Sequence, residues 1–476
     1  MNLNTVSYYS PEWVFVDIFK TSRQLADFPW VLGSTSAPRP QLDPQGYPLG
    51  LASGQSVSAL CMVGIGGHYP AGKYTVLFEG EGEVQLGRDA ALQSHAHDGQ
   101  GTARFQVDVT PGSGGVQVTI LRSSAQNHVR HVRVIMPGFE ATYATQPFHP
   151  LFLERLRPFA FLRFMDWGDT NDSTLAEWQD RRRPDYRTQY RGGIAYEYML
   201  DLANTLQRHP WLCVPHKASD DFVRRLAELV RDRLAPGLKV MVEYSNEVWN
   251  PQFQQYHDVL AQGAARGIPW HAQYTRRAVE IFRIFEEVLG GRGRLVRVLG
   301  TQVANPWIGA QIVKNLPAPD AADALAVAPY FSVGRDANKN WTTTRTWSTA
   351  QVFEACRADA SYIAGLVQQH RTLTRDAGLA LVAYEGGQHL TGRGAGTDDA
   401  QLMSLFIAAN RSATMGTVYR EYFARWAELG GGPFCHFNYV YVPQKWGSWG
   451  SLEYQDQQGA PKYEALLDVV ESWRAR

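Results

Sequence analysis

From about residue 150 to the C-terminus the chain repeats one pattern: a short apolar run, then a longer stretch with the period of an amphipathic helix. The runs are FAFLRF (159–164), WLCVPH (211–216), VMVEYS (240–245), LVRVLG (295–300), ALAVAPY (324–330), LALVAY (379–384) and PFCHFNYV (433–440). Each has the length of a strand and is too short for a core helix. Between them the helical signals are explicit. SDDFVRRLAELVRDRL places Ser219 to cap, Asp220 and Asp221 in the first turn, and Phe222, Val223, Leu226 and Val230 on one face. GIAYEYMLDLANTLQRH puts Ile194, Tyr198, Leu202 and Leu206 on a slowly drifting face, and RRAVEIFRIFEEVLGG ends at Gly290, a C′ residue.

Strands that alternate with helices pair in parallel through right-handed crossovers. With WVFVDIF (13–19) as an eighth strand, the expected fold class is α/β, a (β/α)8 TIM barrel. Residues 31–139 have another texture. ALCMVGIGG, KYTVLFEGEGEVQLG, TARFQVDVT, GGVQVTILRS and HVRHVRVIM alternate at period two between Gly, Pro and Asp turns. That predicts an antiparallel β-sandwich domain inserted after the first barrel strand, which leaves a discontinuous barrel of residues 1–30 and 140–476.

Charge excludes some partners. Lys plus Arg and Asp plus Glu both total 46 in 476 residues, with no basic stripe, which argues against nucleic acid and anionic membrane. No apolar run approaches the roughly 20 residues of a spanning helix. Cys61, Cys213, Cys356 and Cys435 are far apart and form no metal-type pair. The pairs His95 and His97, and His128 and His131, lie in the alternating region without the carboxylate or cysteine companions of a metal site and read as surface residues. The N-terminal stretch has no basic segment followed by an apolar one, so no secretory leader is expected within it.

A barrel of this kind carries its site at the C-terminal ends of its strands. Arg163 lies at the end of the first run above, and Asp166 and the loop with Asn171 and Asp172 follow it. His216 ends the second run, Asn246 and Glu247 follow the third, Tyr330 ends the fifth, and Glu385 with His389 follows the sixth. Trp446 and Trp449 follow the seventh. Two carboxylates would then face each other across the mouth. Glycoside hydrolysis needs such a pair, one protonated to meet the leaving oxygen and one ionised.

Ser245-Asn246-Glu247-Val248-Trp249-Asn250 and Tyr384-Glu385-Gly386-Gly387, with Arg163 and Tyr330, resemble the clan A glycoside hydrolases across roughly three quarters of the chain. The resemblance implies Glu247 as general acid/base and Glu385 as nucleophile in a retaining mechanism. It also implies Asn246 on the sugar 2-hydroxyl, and Arg163 and Tyr330 holding Glu385 ionised. His216 would bond the same sugar, while Trp249, Trp446, Trp449, His389, Asp166 and Asn171 are candidates for the subsite walls. The substrate would be a β-linked polysaccharide or oligosaccharide, with neither metal nor organic cofactor.

The clan's commoner patterns are not matched at two places. Ala328-Pro329-Tyr330 has no His two residues before the Tyr, and CHFNYVY has no obvious Trp closing the last strand. An enzyme acting on polymers would be secreted or periplasmic, with a cytoplasmic location left open.

The plainer readings stay beside these. Glu247 also fits a helix start, Gly386-Gly387 a turn or a close substrate approach, and Arg163 an ion pair with Asp166 or another barrel residue. Asp166, Asn171 and Asp172 fit an Asx-rich loop. A metal-dependent barrel hydrolase with His216 as ligand would need converging His and Asp residues that the strand ends lack. A non-catalytic carbohydrate-binding protein on the same barrel is the alternative function.

Overall fold

The computed structural model describes residues 1–26, 28–33 and 38–474. An antiparallel sheet comes first: β1 (Val31–Leu32), β2 (Val57–Cys61), β3 (Gly72–Arg88), β4 (Gln93–Val109), β5 (Val116–Ser123) and β6 (Arg130–Ile135). A parallel sheet follows: β7 (Phe161–Arg163), β8 (His209–Val214), β9 (Val240–Tyr244), β10 (Leu295–Gly300), β11 (Ala324–Val327) and β12 (Ala380–Ala383), each beside its neighbours in sequence. The fold is therefore mixed α/β.

The parallel strands are buried on both faces, so their sequences are continuous apolar runs rather than alternating ones. Successive residues serve different cores. Trp211 and Cys213 of β8 and Met241 of β9 join an inner cluster, while Leu212, Val214, Val240 and Val242 join the larger cluster beneath the helices. Burying one such side chain contributes roughly 1.5–3 kcal/mol.

The helices begin and end where the sequence signals fall. Ser219 accepts from Phe222 N to cap Asp220–Arg233, and Gly290, at φ 72°, closes Trp270–Leu289. No described helix is long and apolar enough to cross a membrane.

Two expected strands differ. WVFVDIF does not join the parallel sheet: Phe15 and Asp17 make single antiparallel bridges to Phe148 and Ile135, and Ile18–Thr21 is a 3-10 turn. The segment is a seam, with Trp13, Ile18 and Phe19 in the antiparallel region's core and Val14 and Phe15 in the other. Residues 1–3 lie beside β7 instead, where Arg163 N donates to Met1 O at 3.0 Å and Leu3 N to Arg163 O at 3.2 Å. The run 433–440 makes no ladder, but Ala383 N donates to Pro433 O and Cys435 N to Ala383 O, both at 2.9 Å. These two edge segments meet through Asn2 N and His436 O at 2.9 Å.

In the alternating region the antiparallel character is as expected, yet hydrogen bonds connect the strands into a single six-stranded sheet. β3 makes this possible: one edge pairs with β4 along its length, and the other pairs with β6 first and β5 later. Two of the four histidines there do have close carboxylate partners, contrary to the sequence reading. His128 Nε2 lies 2.9 Å from Asp43 and His131 Nδ1 3.1 Å from Glu79, contacts that pairing across turns creates. All four cysteines are free and buried.

Candidate functional site

The site is built around Arg163, the last residue of β7 and fully buried. A buried guanidinium must be paired and hydrogen-bonded to be tolerated. Its Nε and Nη2 donate to Glu243 Oε2 at 3.1 and 2.9 Å, Nη1 to Glu385 Oε1 at 2.9 Å, and Nη2 to Asn246 Oδ1 at 2.9 Å. Nη1 also donates to Asn2 Oδ1 at 3.1 Å. The ion-pair partners are thus Glu243 and Glu385; no direct bond to Asp166 forms. Glu243 projects inward from β9 two residues after Met241 and takes a further bond from Trp211 Nε1 at 2.9 Å.

Glu385 follows β12 and is 6% exposed, with Oε2 accepting from Tyr330 Oη at 3.0 Å. Glu247 is half-buried; Oε1 accepts from Tyr384 Oη at 3.1 Å and Oε2 from Asn250 Nδ2 at 2.9 Å. Tyr384 and Glu385 are adjacent, so one strand end touches both carboxyls. The backbone at Ser245 (φ 60°) and Glu247 (φ 41°) is left-handed, a cost of order 1–3 kcal/mol each for residues of this kind. Gly386 and Gly387 serve packing: a Cβ at Gly386 would meet the Phe434 ring at 2.4 Å, and one at Gly387 would meet Tyr419 Oη at 2.9 Å.

Burial raises the pKa of both carboxyls. At Glu385 the Arg163 cation opposes the rise and the charge of Glu247 adds to it; at Glu247 the bonds from Asn250 and Tyr384 oppose it. Both oxygens of Glu385 meet donors, one of them carrying a full positive charge, whereas Glu247 meets only neutral donors. Burial outweighs these donors at both positions, lifting Glu385 to about 8 and Glu247 above its ordinary 4.5.

The other candidates fall into groups. Asn246 Nδ2 donates to Asn171 Oδ1 at 3.0 Å, which also accepts from Gln255 Nε2 at 2.8 Å, so Asn171 supports Asn246. Trp449 stacks on His389 at 4.8 Å and meets Tyr330 edge-on at 5.7 Å, forming a wall beside Glu385. Burial, with Arg393 adding, pushes His389 down to about 4, so that wall is uncharged. Asp166 is pushed up to about 7 by burial, against the pull of Arg163. Trp249 is half-buried, and its Nε1 has no hydrogen-bond partner among the described residues.

Two candidates stand apart. The His216 side chain has no exposed surface and bonds Asp258 at 2.9 Å. Trp446 is 57% exposed, with Lys445 Nζ 4.8 Å from its ring centre.

Sequence reasoning missed Glu243 and Asn2, and gave no role to Tyr384 and Asn250, which it had only as members of the two motifs. Glu243 left a signal, a lone acid inside the apolar run VMVEYS, which a buried strand admits only with a partner. Asn2 left none, because its neighbours come from the far end of the chain. Among the described residues there is no group of three or more His, Cys, Asp or Glu able to hold a metal ion.

No protein-family model matches the chain, and no curated protein matches it in sequence. Among solved structures it is similar to a xylanase 10B from Clostridium thermocellum with CBM22-1 and GH10 modules, at 10% identity over 97% of both chains and a TM-score of 0.42. It is also similar to a GH5-4 endoglucanase from Bacteroides salanitronis, at 14% identity over 67% of this chain and 84% of that one, TM-score 0.37. An endo-β-1,4-mannanase from Cellulomonas fimi aligns at 12% identity over 67% and 63%, TM-score 0.36. These are clan A glycoside hydrolases. The overlaps are loose, so any functional reading of this chain stands on its own side chains.

Proposed function

We propose that this chain is a retaining glycoside hydrolase acting on β-linked glycans, with Glu247 as general acid/base and Glu385 as nucleophile, on a barrel whose ring is completed by residues 1–3 and 433–436. The observation that carries the proposal is the unequal treatment of two buried carboxyls at one strand-end mouth. Glu385 takes a charge-assisted bond from Arg163 and a phenol bond from Tyr330, which favour the ionised, attacking form. Glu247, bonded only by neutral groups, is the carboxyl left to carry the proton that a leaving oxygen needs.

In the first step Glu385 Oε2, the oxygen not tied to the guanidinium, attacks the anomeric carbon as the glycosidic bond breaks. Glu247 protonates the departing oxygen. The resulting glycosyl ester on Glu385 is hydrolysed by a water that Glu247, now ionised, deprotonates. Asn246, oriented by Arg163 and Asn171, offers its amide to the sugar, and the Trp449–His389 wall offers it a flat apolar face.

The test is Glu385→Gln, assayed against a broad panel of β-linked polysaccharides and aryl β-glycosides. Turnover by the wild type should fall at least about 10³-fold in the variant with folding intact. NMR of the first-formed product should show retained anomeric configuration. Near-normal turnover in the variant removes Glu385 as nucleophile, and an inverted product removes the double displacement.

A further inference from the structure

A second feature of the mouth is unused by this chemistry. The segment Trp178–Gly193 runs over the turn that follows β7, held there by Gly192 N on Asp169 Oδ2 at 3.0 Å and Ile194 N on Trp167 O at 2.6 Å. It is rich in arginine, and it borders a cavity of about 380 Å³ whose lining includes Gln179, Asp180, Arg181, Arg182, Arg183 and Tyr186. Three of these side chains are cationic and one is acidic.

The arginines are not equivalent. Arg181 is neutralised by Glu197 at 2.6 Å, and Arg183, about half exposed, leans on Asp185 at 3.5 Å. Arg182 has no ion pair among the described residues. Its guanidinium lies 4.0 Å from the Tyr186 ring centre, Nη2 reaches the Arg191 carbonyl, and Nε is buried without a hydrogen-bond partner. A half-buried guanidinium over an aromatic ring, with no acid to neutralise it and Nη1 without a hydrogen bond to the described residues, favours an anion as its partner.

The surroundings suit a sugar. Tyr9, 55% exposed, meets Tyr8 at 5.0 Å and Tyr190 at 6.5 Å, and Arg191 Nε donates to Tyr190 Oη at 3.4 Å. Tyr190 lies on the same segment as the cavity, and Tyr8 and Tyr9 pack against it from the N-terminal stretch. Flat amphipathic rings beside a cation match a glycan unit bearing a carboxylate. The balanced overall charge, and the presence of only one guanidinium without an acid among the three that line the cavity, do not match the many phosphates of a nucleic acid.

We infer that the cavity lined by Arg182, Arg183, Gln179 and Tyr186 is a subsite for an acidic sugar, a uronate unit of the glycan, with Arg182 as its carboxylate ligand. The inference rests on the glycosidase reading for the nature of the chain bound, and it deepens that reading by making the substrate an acidic polysaccharide.

The test is calorimetric binding to the full chain carrying Glu385→Gln, so that no probe is consumed. The probes are trisaccharides of galacturonate, glucuronate and mannuronate, their carboxyl-reduced neutral counterparts, and inorganic sulfate. At least one uronate should bind about tenfold tighter than its neutral counterpart, and Arg182→Met should erase that difference. Arg182→Lys should keep part of it. Arg183→Met, at a more exposed position, should lose a smaller part and guards against a folding defect in the Arg182 variants.

Four outcomes overturn the subsite. They are absence of uronate binding, equal affinity for charged and neutral probes, unchanged preference in a folded Arg182→Met chain, and sulfate alone binding as tightly as the trisaccharides. Binding is read without turnover, so a chain that binds uronate but cleaves no glycan loses the hydrolase reading and keeps this site.

Discussion

The two sheets of this protein treat buried charge in opposite ways. In the parallel sheet a fully buried arginine connects Glu243, Glu385, Asn246 and Asn2 across four separate stretches of chain. In the antiparallel sheet the core is apolar, and its buried acid, Asp17, has one oxygen turned to the backbone, accepting from Phe19 N at 3.1 Å and Val134 N at 2.9 Å. Its lysine and arginine ion pairs lie toward the surface, as Lys73 and Asp108 do at 2.9 Å with both side chains mostly exposed.

A buried ionic network adds little net stability compared with apolar packing, and removing one member is costly. The parallel sheet therefore carries a network that stability alone would not require. The antiparallel sheet uses its buried Asp17 to fasten backbone instead.

That contrast can be broken most directly at Arg163. Arg163→Met leaves two buried carboxylates without their cation and should cost about 3–5 kcal/mol in urea unfolding, with activity lost. A loss under about 1 kcal/mol would mean that the network is not carrying buried charge. Val118→Ala, in the fully buried core of the antiparallel sheet, should cost about 2 kcal/mol through lost burial and a cavity while leaving kcat unchanged in the folded protein. A large fall in kcat there would tie the two regions more closely than their separate cores imply.

A pH series sharpens the comparison further. Because burial raises the folded-state pKa of Glu247 above its ordinary 4.5, the folded chain binds that proton more tightly than the unfolded chain does. The associated stability is present below 4.5 and is lost as pH rises through the raised value. Glu247→Gln, which does not titrate, should therefore match the wild type most closely near pH 4 and gain on it toward neutral pH, as read by melting temperature. The wild-type rate should fall as pH rises through the same range, because the acid form is consumed. A stability difference independent of pH would show that Glu247 is not held protonated by burial. Smallest of all, Lys73→Ala should leave the unfolding midpoint within error, since exposed pairs are screened by water and salt.

Much of the parallel region was legible because its periodicity is local. The runs at 211–216, 240–245 and 295–300 overlap the strands found there, since a strand buried on both faces has no choice but to be apolar. Ser219 and Gly290 mark helix ends for equally local reasons, an orphan amide to satisfy and a left-handed residue to supply. WVFVDIF misled because an apolar run seven residues long says that it is buried, not in which core; it lies between two. The histidine partners Asp43 and Glu79 were invisible because turns, not sequence proximity, bring them together.

The sequence by itself determined the alternation of strands and helices, the apolar faces, and the placing of Asn246-Glu247 and Glu385 just beyond strand ends, because period and chain direction decide those locally. Only the tertiary structure decided which groups meet. It put Arg163 between Glu243 and Glu385, brought Asn2 from the N-terminus to the same guanidinium, enclosed His216 against Asp258, and left Arg182 without an acid. Electrostatic partnership depends on distance in space, and residues hundreds of positions apart become neighbours only when the sheet assembles.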